Sequence, residues 1–408
     1  MSEAGTGAKY SAPDSIRSTE ILDVQDDLDA FRQAVREWTR RTAPPEKSHL
    51  WLNAAPGAEQ AEIDKWWMLE RAKVGLAIPN WPKEYGGAGL GLAHQIIIAA
   101  EFARANAPDS WTFNVALNHV PATLIPYGTD HQKQKYLPTV PQATVWCQGF
   151  SEPGAGSDLA ALKTRAVRDG DHYVINGQKI WSSQSMFASY AILLARTNTE
   201  VKKQRGITYF ILDMKAPGVE VRPIRKSTGS STFAELFLTD VRIPVEDRVG
   251  EENQGWTIAQ STLSAERGVL VFAMWERESA ALQRFYQRSV ANKAAWLDDD
   301  QLRRECVSLF AEQQAVRRMI RDLLKEEHTE TWSMTPGLVK FLTASVRQRL
   351  AEFRVRIMGL SGQTVTPDES CTHGAMYEYL DSFGGTIAAG SNEIMRNMIA
   401  ERGLGMPR

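Results

Sequence analysis

Two short segments concentrate the residues that could do chemistry. Residues 147–158 run Cys147, Gln148, Gly149, Phe150, Ser151, Glu152, Pro153, Gly154, Ala155, Gly156, Ser157 and Asp158. A Ser/Gly-rich loop of this kind leaves backbone N–H groups free to meet phosphate oxygens. The second segment, Asn176 to Ser183, sets Trp181 beside Ser182 and Ser183, an apolar plane with two hydroxyls on which a flat, redox-active ring could rest. Gly154-Ala155-Gly156 is weak by itself. Position 159 is Leu, so the Gly-x-Gly-x-x-Gly dinucleotide fingerprint fails. A structural turn and a core tryptophan account equally for these residues taken singly. The seven histidines are scattered, with no His-Glu-x-x-His or His-x-His pair, so no metal site is expected.

Three patterns of apolar spacing must supply the elements that position these groups. From Leu22 to about Thr139 the period is helical. Leu28, Phe31, Val35 and Trp38 share one face of a helix that must stop before Pro44-Pro45. Trp66, Trp67, Leu69 and Val74 predict a second helix, and Ile96 to Arg104 a third. Thr129 followed by Gln132 has capping-box spacing. Trp81 to Gly87 reads as a turn.

From about Val145 to Gly250 the period becomes two. Tyr173–Ile175, Tyr190–Leu194, Ile207–Leu212, Val219–Val221 and Phe237–Leu238 read as strands, with a hairpin turn at Asp169-Gly170-Asp171. These strands meet turns rather than helices, against a Rossmann unit. Helical spacing returns over Trp256–Arg288, Asp299–Glu326, Pro336–Met358, Ser370–Phe383 and Ser391–Arg402. The expected division is a loose tail at 1–20, a helical domain at 21–143, a β domain at 144–252 and a helical domain at 253–408.

Composition narrows the function classes. The chain has 408 residues, enough for several cores. A net charge of -2 gives no reason to expect nucleic acid or an acidic membrane. Cys147, Cys306 and Cys371 lie far apart, without a Cys-x-x-Cys pair, which fits a reducing cytoplasm. No apolar run reaches the roughly 18 to 20 residues that span a bilayer. Met1 to Glu20 lacks the apolar segment of a signal peptide.

Together, the Cys147–Asp158 and Asn176–Ser183 segments resemble the paired flavin-binding segments of the acyl-CoA dehydrogenase family. The resemblance covers nearly the whole chain from residue 22. It implies an α+β fold, mostly α: an N-terminal helical domain, a small β-barrel-like domain and a C-terminal helical bundle. It also implies FAD as cofactor, an acyl-CoA substrate oxidised to the trans-2-enoyl-CoA, and an electron-transfer flavoprotein as electron acceptor. Gln148, Ser151, Gly156 and Ser157 would then bind the cofactor, Ser151 at the flavin pyrimidine edge and Ser157 at the pyrophosphate. Trp181 would pack against the isoalloxazine, with Ser183 near its N5.

Such a reaction removes a weakly acidic Cα proton and a Cβ hydride. A free glutamate, with a pKa of about 4.3, is a poor base unless desolvated. The developing enolate needs donors at the thioester oxygen. In many members the base directly precedes the Gly of a C-terminal Glu-Gly-Thr-Ser-type motif, where this chain has Ala389 before Gly390 and Ser391. Isovaleryl- and long-chain-type branches carry it instead on the helix after the β domain, where this chain has Glu266. The resemblance therefore implies Glu266 as the catalytic base, the alternative being a solvated helix residue paired with Arg267 or another neighbour. Arg267, Ala389 and Gly390 would contact substrate, the Ala389 N–H reaching the thioester oxygen. Ser391 would cap the last helix and, with Glu393 on the adenosine side, bind the cofactor; a cap and nothing more is the alternative.

Two departures bear on assembly. The Arg-x-x-Phe-Gly-type segment of homotetrameric members is replaced by Arg288 to Ala294, followed by Trp296 and Asp298-Asp299-Asp300. Their Gln-x-x-Gly-Gly-x-Gly loop is replaced by Arg356 to Gly362. A similar combination occurs in dehydrogenases of steroid side-chain degradation, some of them α2β2 heterotetramers in which one subunit supplies the base. The chain resembles that base-bearing subunit, in a homo- or heterotetramer, acting on a branched or sterol-type acyl group. A non-catalytic partner subunit, and a flavin oxidase or monooxygenase on the same scaffold, are the competing readings.

Overall fold

Helical and strand periods give way to one another as the sequence predicts in the computed structural model, which describes residues 18–52, 54, 56–265, 269–325, 335–363 and 374–407. The first helices are α1 (Ser18–Leu22), α2 (Leu28–Thr42), α3 (His49–Leu52), α4 (Ala58–Lys73), α5 (Leu92–Ala105), α6 (Val120–Tyr127) and α7 (Asp130–Tyr136). The strands are β1 (Trp146–Gly149), β2 (Arg165–Asp169), β3 (His172–Ser183), β4 (Tyr190–Arg196), β5 (Ile207–Asp213), β6 (Val219–Ile224), β7 (Phe233–Pro244) and β8 (Arg248–Val249). The last helices are α8 (Gly255–Ala265), α9 (Val269–Ala291), α10 (Asp300–Lys325), α11 (Thr335–Met358), α12 (Ala375–Ile387) and α13 (Asn392–Met398).

Local chemistry sets several of these boundaries. Asp27 caps α2 by accepting from the Asp29 and Ala30 N–H groups. Phe31, Val35 and Trp38 of α2 are buried, but Leu28, expected on that face, is largely exposed in the first turn. Asp299 caps α10 in the same way, accepting from Gln301 and Leu302. Of the helix expected over Trp256–Arg288, α8 and α9 are described, and residues 266–268 between them lie outside the described residues. The start expected for α12 at Ser370 also lies outside them, and the helix runs on past Phe383 to Ile387.

The chain gathers into two compact units, each with its own interior. Among the described residues, one holds those within 56–90 and 109–265, the other those within 18–54, 91–108 and 269–407. In the first unit an eight-stranded sheet has the order β6-β7-β3-β2-β4-β5-β8, with β1 parallel to β4. The β2–β3 hairpin turns at Gly170, whose φ of 62° is a left-handed conformation that glycine adopts freely. Strands β4 and β5 are buried on both faces, which explains their unbroken apolar runs. Ile192, Leu194, Tyr209 and Ile211 face a core shared with Val120 and Leu124 of α6 and Ile258 of α8. Leu193, Phe210 and Leu212 face a second core with Tyr173, Ile175 and Leu236. Gly255 lets the start of α8 approach β5, since a Cβ there would stand 2.6 Å from the Thr208 backbone.

The second unit is a helical bundle. Phe272, Trp275 and Leu282 of α9, Leu309 and Val316 of α10, and Val346, Leu350 and Phe353 of α11 form its core, joined by Leu92 and Ile96 of α5. No helix among the described residues is long and apolar enough to cross a membrane.

Candidate functional site

The first unit builds one face from the two segments singled out in the sequence. They are stitched together by hydrogen bonds running from the second to the first. Ser182 Oγ donates to the Gln148 carbonyl at 2.9 Å, and the Ile180 N–H donates to the Ser151 carbonyl at 2.9 Å. Lys179, fully buried, donates to the Phe150 carbonyl at 3.1 Å and to the Glu152 carboxylate at 2.8 Å. Glu152 also accepts from the N–H groups of Lys163 at 2.6 Å and Thr164 at 2.8 Å. Its carboxyl lies below the usual range, because Lys179 and these donors outweigh the opposing effect of burial.

Between the anchored legs the loop is open. Glu152 and Ala155 close a tight turn, each donating its N–H to the other's carbonyl. Gly154, Gly156 and Ser157 are exposed, and a Cβ added at either glycine would meet nothing within 4 Å. Lys203 holds Asp158 by both carboxylate oxygens at 2.7 Å. Beside this loop, β3 carries a bulge. Lys179 pairs with Leu236 and Ser182 with Ala234, so β3 spends one residue more than β7. Trp181 absorbs it with a φ of 63°, a conformation uncommon for a bulky residue and characteristic of functional sites. The bulge turns its indole outward, leaving it 56% exposed. The alternative of a core tryptophan is therefore excluded. Ser151 and Ser183 are half-buried. The Gln148 side-chain Nε2 is buried without a hydrogen-bond partner, a polar atom left for a ligand to satisfy. An outward aromatic plane, an unpartnered amide donor and an open Ser/Gly loop fit a flavin. Cys147, one residue before Gln148, is fully buried, and burial pushes its thiol pKa up, so it is no nucleophile.

In the second unit, Ala388 to Ser391 turn the chain from α12 into α13. Ala389 and Gly390 take left-handed φ values of 54° and 93° in succession. Ser391 caps α13 by accepting from the Ile394 N–H at 3.4 Å. Lys340 of α11 holds the turn, donating to the Gly390 carbonyl at 2.6 Å and to Asn392 Oδ1 at 3.2 Å. Ala389 and Glu393 are exposed. Arg356 is ion-paired with Glu305 on α10. Glu266 and Arg267 lie outside the described residues. Sequence reasoning missed Lys179 and Lys340. Lys179 carried a signal, since it continues the inward phase of Tyr173 and Ile175 along β3.

Comparison with known proteins identifies the chain. Models of the acyl-CoA dehydrogenase N-terminal, middle and C-terminal domains match residues 25–143, 147–241 and 253–404. The acyl-CoA dehydrogenase IpdE1 of Mycobacterium tuberculosis (strain ATCC 25618 / H37Rv) is 35% identical over 94% of this chain and 98% of its own length. The solved structure of the Tcur3481-Tcur3483 steroid ACAD superposes with a TM-score of 0.80 at 30% identity, covering 94% of this chain and 98% of that one. The ChsE4-ChsE5 complex of Mycobacterium tuberculosis superposes at 0.74 with 28% identity, over 94% and 97% of the two chains. The chain belongs to the acyl-CoA dehydrogenase family. It is an oxidoreductase of the flavin-dependent kind that acts on a CH–CH bond of an acyl-CoA thioester.

Proposed function

We propose that this chain is the base-bearing subunit of an FAD-dependent dehydrogenase for bulky, steroid side-chain-type acyl-CoA esters. The observation that carries the reading is the outward Trp181 indole at a strand bulge, set beside the open Ser/Gly loop. Gln148, Ser151, Gly156, Ser157, Trp181, Ser183, Ser391 and Glu393 hold the cofactor. When bound, the flavin supplies the acceptor for the Cβ hydride. Glu266 takes the Cα proton. The Ala389 N–H donates to the thioester oxygen and steadies the developing enolate charge. Gly390 and Arg267 contact the substrate.

The substrate class draws support from the Tcur3481-Tcur3483 relative, named a steroid enzyme, and from Ala389 occupying the position where a base would crowd a bulky acyl group. Two of the similar structures are named as two-component assemblies, which supports an α2β2 arrangement. The division at 21–143, 144–252 and 253–408 belongs to the same proposal, as do electron transfer to an electron-transfer flavoprotein and a cytoplasmic location.

Glu266→Gln tests the assignment of the base. The variant is expected to keep its flavin and to lose substrate-driven bleaching of the visible flavin band. Bleaching at the wild-type rate would remove Glu266 as base. Full flavin occupancy in a homotetramer of this chain alone would sink the heteromeric reading.

A further inference from the structure

We propose that Lys179 is a positioning residue for the cofactor: its buried ammonium sets the conformation of the Phe150–Asp158 loop that meets the flavin, acting through the Phe150 carbonyl and Glu152. This rests on the reading of that face as the flavin site. Lys179 does not touch the face itself. Its side chain lies inside the sheet, with no exposed surface, beneath the loop.

Both legs of the loop are fixed from below. The outgoing leg is held at Phe150 and Glu152 by Lys179 and at Ser151 by the Ile180 N–H. The returning leg is held by Glu152 at Lys163 and Thr164. Arg196 adds bonds to the carbonyls of Ala160 at 2.6 Å and Leu162 at 3.0 Å. At the tip Pro153, Gly154, Gly156 and Ser157 stay exposed, with Ala155 buried between them. Lys179 joins the legs, because the same ammonium grips one directly and the other through Glu152. It also precedes Trp181 by two residues, so one strand segment fixes the loop and aims the indole.

Stability alone does not explain the pair. Desolvating two charges costs as much as their attraction returns, and well-packed apolar residues often do as well. Burial, opposed by Glu152, lowers the Lys179 pKa to about 8. What an apolar substitute cannot supply is a donor to the Phe150 carbonyl and to Glu152 at once. The ammonium therefore selects one loop conformation from those that a Gly/Ser-rich segment could adopt.

The test uses the flavin-loaded protein, with its partner subunit where loading requires one. Lys179→Met alone strands a buried carboxylate and can fail to fold, so the deciding variant is Glu152→Gln with Lys179→Met. Its amide oxygen still accepts a backbone N–H while both charges are gone. Leu238→Ala, in the core of the same sheet, serves as the comparison for lost stability. Flavin release is followed by its fluorescence, the bound flavin by its visible absorption, and the flavin-free protein by thermal unfolding. At matched thermal stability the double variant is expected to release flavin about tenfold faster than Leu238→Ala or more, with a displaced absorption band. Release no faster than in Leu238→Ala, with an unmoved band, overturns the proposal while leaving the flavin reading intact. Wild-type protein that takes up no flavin overturns both.

Discussion

At position 64 the chain buries a carboxyl completely, in the middle of α4. Asp64 accepts from the Gln60 amide at 2.8 Å and from the Thr112 N–H at 2.9 Å. Burial, reinforced by the nearby charge of Asp109, raises its pKa to about 7. A carboxyl raised on folding stabilises the protein fully below its unfolded pKa, near 4, and that contribution fades as pH rises through about 7. The span corresponds to roughly 4 kcal/mol. Asp64→Asn should flatten the fall in stability between about pH 4 and pH 7, measured by denaturant unfolding across that range. An unchanged slope would show that Asp64 does not carry it. Helical spacing places position 64 on the face of Trp67 and Met68, three and four residues on, but an aspartate there reads in sequence as a surface residue. Ser391 was legible, since a serine before a helical run is a cap wherever it falls. The exposure of Trp181 was not, because it depends on one extra residue in β3, and a one-residue shift sends a side chain to the other face.

Elements were easier to read where chemistry marks their ends. The capping box at Thr129 and Gln132 forms as the spacing predicts, with both reciprocal bonds present. Gln132 does more than the motif requires. Its amide also donates to the carbonyls of Glu246 at 2.7 Å and Arg248 at 2.8 Å, tying the start of α7 to the chain entering β8. Thr129→Ala should therefore cost about 1 kcal/mol, and Gln132→Ala more, because it strands two carbonyls as well. Denaturant midpoints of the two variants check the ranking, and a larger loss at Thr129 would contradict it. Where no marker exists, boundaries were lost. Strand β1 was not singled out, because four residues are too few to show a period.

For the whole molecule, the order of patterns along the chain foretold helices, sheet and helices, but not how they group. Among the described residues, those within 18–54 and 91–108 share a unit with those within 269–407, while 56–90 share one with the sheet. Grouping of that kind depends on pairings between distant segments, which periodicity does not encode. Ser151, Trp181 and Ser391 are among the residues proposed to hold the cofactor, and Ala389 is proposed to meet the substrate. The central claim is that these groups serve the dehydrogenation of a bulky acyl-CoA. The most direct test is anaerobic mixing of the flavin-loaded protein with a steroid side-chain-type acyl-CoA and, separately, with a short straight-chain one. The account predicts rapid bleaching of the visible flavin band and a trans-2 double bond in the bulky product, with little change for the short ester. A flavin that stays oxidised with the bulky ester, or bleaches as readily with the short one, would contradict it.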